Sequence, residues 1–283
     1  MQTKAIKGKI KSVGNIKKIT KTMEMVSAAK MKKAIDNALL LRPFYEEAQN
    51  ILHDLSLDQL SLHDLLKHNG VEEHVVVLIA SNKGLCGSYN VNIYRELLKH
   101  YNEEARKKLK VITYGKFAEK VAKKLGLETV ASFDHPVLTG DDAHATASLL
   151  VKWYREKKIG TVKILYTHFT SGSSFTPTTL QILPFLSEGK PIGAHGEPRY
   201  EYEPNKKEVL FSIIPMMIHN IIHATILESY ASEHSARMFA MKSATDNAKE
   251  LEDDLKLYYN RARQDAVTQE ISEIVGGAMA LTQ

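Results

Sequence analysis

The spacing of apolar residues divides the chain into two helical ends and an alternating middle. Between Pro215 and Gly276 lie 60 residues without glycine or proline, the two residues that most strongly interrupt a helix. Within this stretch apolar positions alternate between intervals of three and four, a heptad pattern that predicts a left-handed coiled coil. The seam comprises Met241, Ala244, Ala248, Leu251, Leu255, Tyr258 and Ala262. Such a seam needs a partner helix.

The N-terminal segment offers that partner. Residues 15 to 42 lack glycine and proline, and Pro43 is expected to kink or interrupt the helix. Its apolar stripe consists of Ile6, Ile10, Val13, Ile16, Ile19, Met23 and Val26. The alternative is that both helices pack onto one domain, but a C-terminal helix of roughly 90 Å is too long for such a domain to cover. An antiparallel coiled coil is therefore the favoured interpretation.

The middle of the chain alternates short apolar runs with amphipathic stretches. Strands are predicted at 75–80, 111–114, 129–133 and 161–169, and helices at 90–109, 116–125 and 141–158. Such βαβ alternation predicts a Rossmann-like, mostly parallel sheet. A further strand at 178–185 is expected to be antiparallel because no helix precedes it. The predicted fold class is α/β plus a long antiparallel coiled coil.

This pattern predicts four consecutive segments. They are an N-terminal coiled-coil helix at 1–56, a linker at 57–71, a Rossmann-like domain at 72–205 and a long C-terminal coiled-coil helix at 206–283. The residues at 188–205, rich in Gly, Pro, Tyr and Glu, are expected to form a loop or ribbon that leads into the last helix.

Composition and charge narrow the class of protein. The 283 residues are 43% hydrophobic and 25% charged, as in ordinary globular proteins. No uninterrupted apolar run approaches the ~20 residues of a membrane span, so no span is expected. A single cysteine, Cys86, excludes an internal disulfide and fits a reducing compartment. Residues 1–36 hold ten lysines against two acids, whereas residues 220–283 hold ten acids against six bases, so the two ends are complementary.

The turn at 81–90 is the clearest candidate site, because it carries two glycines where a strand gives way to a helix. That is where open parallel sheets bind phosphate. However, the Gly84-Leu85-Cys86-Gly87 sequence matches neither nucleotide-binding glycine motif, and Lys83 precedes the glycines. A phosphate cradle, a cysteine active site and a tight turn with a buried structural thiol are the three alternatives, and the last is favoured.

Other candidate chemistry is weaker. His219 and His223 are four residues apart on the long helix and could face one ion, but the spacing lacks a third ligand. Asp141 and Asp142 are best explained as acids at a helix start. The basic N-terminal helix lacks the interleaved aromatic residues typical of nucleic-acid binding. We therefore assign no catalytic, cofactor-binding or metal residues, and expect no nucleic-acid partner.

Three separated stretches carry a more specific signal. They are IKKITKTMEMVSAAKM at 16–31, the turn at 81–90, and residues 228–280, which include ATDNA at 244–248 and VTQEISEIVGGAMA at 267–280. Together they resemble the gamma subunits of F-type ATP synthases along nearly the whole chain. The sequence has neither a transit peptide nor the inserted cysteine pair of redox-regulated chloroplast versions, which favours the bacterial type.

The resemblance implies a non-catalytic central-stalk rotor. It implies a ring of alpha and beta subunits around the helices, an epsilon subunit and c ring at the foot, and a peripheral position on the cytoplasmic side of the cell membrane. The implied partner-contact residues are Met23, Lys21, Lys30, Arg237, Gln269, Glu270 and Ile274. The implied foot residues are Glu201, Tyr202 and Glu203. The alternative function is a phosphate- or nucleotide-binding α/β protein with coiled-coil arms.

Overall fold

The computed structural model describes residues 2–54, 63–133, 140–171, 174–185 and 201–281. The helices are α1 (Gln2–Asp54), α2 (Tyr89–His100), α3 (Glu103–Lys107), α4 (Lys116–Lys124), α5 (Asp141–Arg155) and α6 (Lys206–Leu281), with a 3-10 turn at Asp64–Leu66. The strands are β1 (His74–Ile79), β2 (Leu109–Tyr114), β3 (Glu128–Phe133), β4 (Thr161–Ser171) and β5 (Ser174–Leu183).

The chain divides into two compact units. The helix-pair unit comprises Met1–Ser27 with Met238–Gln283, and the sheet unit comprises Ala28–Arg237. Both long helices contribute to both units. The four consecutive segments drawn from the sequence stay a prediction, and residues 57–62 of the linker at 57–71 lie outside the described residues.

One five-stranded sheet, ordered β3-β2-β1-β4-β5, organises the sheet unit. Its first four strands are parallel, and β5 is antiparallel to β4. The central strand β1 is the apolar run HVVVLI, as expected for a parallel strand covered on both faces. Val75 and Val77 belong to the core that includes α5 and α6, whereas Val76 and Leu78 belong to the core under α2 and α4.

The first part of α6 is apolar because it covers one face of this sheet. Ile214, Met217 and Ile218 are fully buried in the core that also contains β1 and β4. By length and composition alone, Lys207–Val275 could also cross a membrane. Its packing against the sheet gives a sufficient reason for its composition, since core helices are apolar on much of their surface.

The helix-pair unit has a different seam from the one that hydrophobicity predicted. On α6, Met241 and Ala248 are buried as expected. On α1, however, Ile16 and Ile19 are more than half exposed. The described seam continues instead through Lys17, Thr20, Glu24 and Ser27, which are buried or partly buried. The predicted stripe of α1 is therefore wrong at Ile16, Ile19 and Val26, whereas Met23 is partly buried as predicted.

A hydrogen bond and an ion pair between polar side chains explain why these residues form the contact between the two helices. The Thr245 and Thr20 hydroxyl oxygens lie 2.8 Å apart across the pair, and the Thr245 hydroxyl is also 2.8 Å from the Met241 carbonyl oxygen of its own helix. The Lys17 ammonium donates to the Glu252 carboxylate across the pair. A threonine pair and an ion pair can replace apolar contacts where partner groups are satisfied. The apolar side chains on the other face of α1 are consequently left exposed.

Three further elements differ from expectation. The helix predicted at 90–109 is two helices, because Tyr101 is extended and Asn102 caps α3 by accepting the Ala105 amide. Strand β5 begins at Ser174 rather than 178, since its N-terminal half also pairs with β4. Helix α1 continues through Pro43 to Asp54. Of the predicted ribbon at 188–205, residues 188–200 lie outside the described residues.

Candidate functional site: the crevice of the sheet and the exposed helix pair

The strand order creates a crevice between β1 and β4. In an open sheet ordered 3-2-1-4-5 the connections reverse direction between these strands, and ligands bind beyond their carboxyl ends at this switch point. The 81–88 turn directly follows β1, so it occupies the position of a phosphate-binding loop. Its surroundings therefore decide between the three alternatives for the turn.

Internal hydrogen bonds hold the turn closed. The Ser81 amide donates to Asn90 Oδ1 at 3.2 Å, and Asn90 Nδ2 donates to Ser81 Oγ at 2.6 Å. The same Nδ2 lies 3.4 Å from Cys86 Sγ. The Leu85 backbone is left-handed, with φ of 61°. These bonds define a rigid turn built around a buried thiol.

Cys86 is not placed for nucleophilic chemistry. It is 2% exposed, and burial raises the pKa of its thiol. A thiol with a raised pKa holds little thiolate, which is the reactive form. The arrangement favours a packing role for Cys86 and gives no support to a cysteine active site.

The turn binds a cation from the same chain. The Arg237 guanidinium donates to the Lys83 carbonyl oxygen at 2.8 Å and to the Gly84 carbonyl oxygen at 3.2 Å. A phosphate site instead directs backbone N–H groups at an anion. The turn therefore directs carbonyl oxygens rather than N–H groups at the ligand it holds, the Arg237 guanidinium.

Glu233 completes this contact one helical turn before Arg237. Its carboxylate accepts from the guanidinium at 2.6 Å, and both side chains are almost fully buried. Arg237 also lies 3.2 Å from His234 Nδ1. Burial raises the pKa of Glu233, while Arg237 opposes that rise. The pair joins α6 to the end of β1 inside a low-dielectric region.

A second set of bonds joins α6 to the end of β4. The Tyr89 hydroxyl donates to the Ser229 carbonyl at 3.1 Å, and Ser229 Oγ accepts from the Thr167 amide at 3.0 Å. Ser232 Oγ donates to the Thr167 carbonyl at 3.1 Å. Helix α6 thus forms hydrogen bonds on both sides of the switch point, while the buried Thr167 hydroxyl has no hydrogen-bond partner among the described residues. The crevice is filled by protein.

Sequence reasoning missed the residues that fill the crevice. Ser229, Ser232 and Glu233 lie in one of the matching motifs, but nothing in their spacing assigned them a role. Their signal was a run of small and polar residues inside an otherwise apolar helix. Such a run is typical of a buried, hydrogen-bonded helix face.

The histidine pair does not form a metal site. The rings of His219 and His223 stack with centroids 6.2 Å apart, and His144 meets His219 edge-on at 5.2 Å. Burial lowers the pKa of His219. Among the described residues, no group of three or more His, Cys, Asp or Glu side chains could hold a metal ion.

The predicted contact residues of the helix-pair unit lie mostly on its surface. Lys21 is exposed and pairs with Glu24 at 2.9 Å, while Met23 is partly buried. On α6, Gln269 donates to Glu273 at 3.1 Å, within the same helix. Glu270 is also exposed. Ile274 is 71% exposed, a large apolar side chain with little covering from its own chain.

The remaining predicted residues belong to the sheet unit. Lys30 is exposed, whereas Arg237 is buried in the crevice. Glu201 and Glu203 are exposed, and Tyr202 packs partly against the main core. The partner role of Arg237 stays a prediction, and the structure adds an internal role for its guanidinium.

Fold and site together define an α/β protein with a long helix pair: the helices carry exposed apolar side chains, and the ligand crevice is filled by the chain's own side chains. Residues 2–281 match the family model described as ATP synthase. The chain is 38% identical over 286 aligned residues to the ATP synthase gamma chain of Staphylococcus saprophyticus, covering 98% of each. It is also 38% identical to that of Flavobacterium psychrophilum, again covering 98% of each.

Solved structures agree on the fold. A chain of the Euglena gracilis mitochondrial ATP synthase, from a structure of OSCP, F1 and c-ring, matches with a TM-score of 0.70 and 18% identity, covering 99% of this chain and 94% of that one. A chain of the Tetrahymena thermophila central stalk and c-ring structure matches with a TM-score of 0.56 and 21% identity, covering 80% and 99%. The chain belongs to the ATP synthase gamma chain family, the central-stalk subunits of F-type ATP synthases.

Proposed function

We propose that the chain is the rotor that couples proton-driven rotation of a c ring to ATP synthesis and hydrolysis on neighbouring beta subunits. The observation that carries this proposal is the match to gamma chains over 98% of the sequence. The structure contributes a physical reason: the chain has a sheet unit typical of nucleotide binding, but its own side chains fill the crevice. Binding and chemistry then belong to the partners.

The filled crevice suits a part that transmits force. A rotor must resist deformation where its helix joins the sheet. The bonds from Arg237, Ser229 and Ser232 join α6 to turns and strands far away in the sequence. Buried networks of this kind are rigid when every member is satisfied. In this proposal the crevice acts as a fixed attachment for the long helix.

The exposed face of the helix pair suits repeated contact with an alpha–beta ring. Ile16, Ile19 and Ile274 present apolar surface, and Met23 offers a flexible thioether. Exposed ion pairs from Lys21 or Lys30 would be worth only about 0 to 1 kcal/mol each. Contacts this weak can form and break during rotation. We extend the same role to Gln269 and Glu270, and to Arg237 as a partner contact beside its internal bonds.

The foot of the rotor is proposed to include Glu201, Tyr202 and Glu203. They precede α6 directly, and tyrosine is enriched at the centre of interfaces. Here the chain would meet an epsilon subunit and the c ring, and would lie peripherally on the cytoplasmic side of the cell membrane. If substitutions at these residues left both c-ring association and proton coupling unchanged, the foot would lie elsewhere.

The test is reconstitution with alpha, beta and epsilon subunits. The assembled complex should hydrolyse ATP, whereas the isolated chain should show neither turnover nor saturable nucleotide binding. The alternative function, a nucleotide-binding α/β protein, predicts the reverse. Tight ATP binding by the isolated chain that is lost on substitution of Lys83 or Gly84 would overturn the rotor proposal in favour of that alternative.

A further inference from the structure

The sheet unit contains a cavity that the rotor proposal does not use. Its volume is about 610 Å³, and it lies between α1, the β4–β5 hairpin and α6. This volume falls within the range of roughly 300 to 1,000 Å³ that is usual for small-molecule sites. The cavity is half open, and Leu39 on α1, which is 55% exposed, lies on its lining. A ligand could therefore reach it from solvent.

Three aromatic residues contribute to the lining of the cavity. Tyr166, Phe169 and Phe185 come from β4 and the residues after β5, and Ile221 of α6 adds an aliphatic surface. Tyr166 and Phe185 are buried, which fixes the cavity wall by packing. Aromatic faces carry negative electrostatic potential and attract organic cations within about 6 Å of the ring centroid.

One carboxylate gives the cavity its charge. Glu228 is the only Asp, Glu, Lys or Arg among the described residues that line it. Its Oε2 accepts from His168 Nδ1 at 2.7 Å, a contact that holds the side chain in position. The side chain keeps 31% of its surface exposed. A largely apolar cavity whose described lining carries a single negative group has electrostatic complementarity for a hydrophobic molecule with one positive charge.

We propose that this cavity binds a hydrophobic monocation, an organic ammonium whose charge lies beside Glu228 and whose apolar groups contact the aromatic rings. This site is independent of the rotor role, since it concerns a surface of the sheet unit alone. A carboxylate together with aromatic rings is a recurrent way to recognise alkylated ammonium groups. An anionic ligand would be repelled by the Glu228 carboxylate, so anions should be excluded.

The experiment is an NMR titration of the full-length chain with labelled isoleucine and leucine methyl groups. The probe is benzyltrimethylammonium, and the matched neutral probe is neopentylbenzene, in which carbon replaces the charged nitrogen. We expect saturable shifts of the Leu39 and Ile221 methyls with the cation, and binding of the neutral probe weaker by about tenfold, the size of one partly screened ion pair.

Two variants separate charge from fold. Glu228→Gln should weaken binding of the cation by about tenfold and leave binding of neopentylbenzene unchanged. Glu103→Gln removes an almost fully exposed glutamate from the same unit and should leave both affinities unchanged. The proposal is overturned if the cation produces no saturable shifts. It is equally overturned if both probes bind alike, or if Glu228→Gln has no more effect than Glu103→Gln.

Discussion

Replacement of Arg237 by methionine is the most direct test of how the crevice is held. Methionine has a similar length, so it keeps much of the apolar contact and removes the guanidinium. The Glu233 carboxylate, only 3% exposed, would then be buried without its cation. The Lys83 and Gly84 carbonyls would also lose their donor.

The magnitude follows from the burial of the pair. Removal of one partner from a buried ion pair costs about 3–5 kcal/mol, because the other charge is left uncompensated. Each lost carbonyl bond would add ~1 kcal/mol if water did not reach it. Part of this is recovered because Glu233 can take up a proton, a change that its raised pKa already favours. We expect a loss of about 4 kcal/mol in the free energy of unfolding. For a unit of this size that corresponds to a fall in Tm of roughly 8–16 °C.

The chain contains its own probe for this measurement. Trp153 is the single tryptophan, and it packs against the main core of the sheet unit. Its fluorescence during urea unfolding reports on that unit. The double variant Arg237→Met with Glu233→Leu should recover roughly half of the loss, since apolar residues often replace a buried ion pair at little cost.

The control is Arg95→Met, which removes an exposed arginine from the same unit and should cost less than ~0.5 kcal/mol. A cost below ~1 kcal/mol for Arg237→Met would refute the assignment of a buried, uncompensated charge. So would a double variant whose loss equals the sum of the two single losses, because that result would show no coupling between the two side chains.

Four further predictions concern other parts of the chain. In a reconstituted complex, Met23→Lys should permit assembly and ATP hydrolysis but impair ATP-driven proton pumping in vesicles. The reason is that a lysine ammonium forms ion pairs, which a methionine thioether does not. Normal pumping, or failure to assemble, would contradict this prediction. Cys86→Ala should leave coupled ATP synthesis within a few-fold of normal and lower the free energy of unfolding in urea by ~1 kcal/mol, since the thiol has a packing role. Loss of all activity in an assembled complex would instead show a chemical role for the thiol. Hydrogen bonds from two lysine side chains lower the pKa of Glu252 from 4.5 to about 2, so the contribution of Glu252 to stability is present above pH 4.5 and is lost as the pH falls to about 2. Acid titrations followed by circular dichroism should show less of this loss in Glu252→Gln. Identical titration curves for the two proteins would disprove the prediction. Gly115→Ala would place a Cβ 2.3 Å from a main-chain oxygen at φ of +90°, so it should lower the free energy of unfolding by at least ~2 kcal/mol in thermal unfolding. The control Gly126→Ala, with φ of +65° and open space around it, should lower it by about half as much or less.

The sheet was predictable because each strand carries its own signal. The run at 74–79 is apolar on both faces, and a strand of that kind belongs to the covered centre of a parallel sheet. The helix predicted between β1 and β2 was too long, because the helix propensity of Tyr101 does not differ from that of its helical neighbours. Its extended conformation comes from tertiary packing, which local sequence does not contain.

The contacts in the crevice and in the seam between the two long helices were harder to predict from the sequence, for a physical reason. The contact between Arg237 and Lys83 joins residues 154 positions apart, so no local pattern announces it. In the helix pair, hydrophobicity favoured Ile16 and Ile19, while the structure buries Thr20 in a hydrogen bond with Thr245. A polar seam is visible only when both helices are considered together. The exposure of Ile16 and Ile19 then identifies the face of α1 that lies away from α6.

The pairing of the two chain ends has a consequence for biosynthesis. Lys17 and Glu252 are 235 positions apart, so the ion pair between them cannot form until nearly all of the protein has left the ribosome. At translation rates of about 5–20 residues per second, the lysine-rich N-terminal helix waits roughly 10–50 s for its partner. Its many positive charges repel other nascent copies during that interval. The complementary charges of the two ends favour their pairing once the C-terminal helix is available.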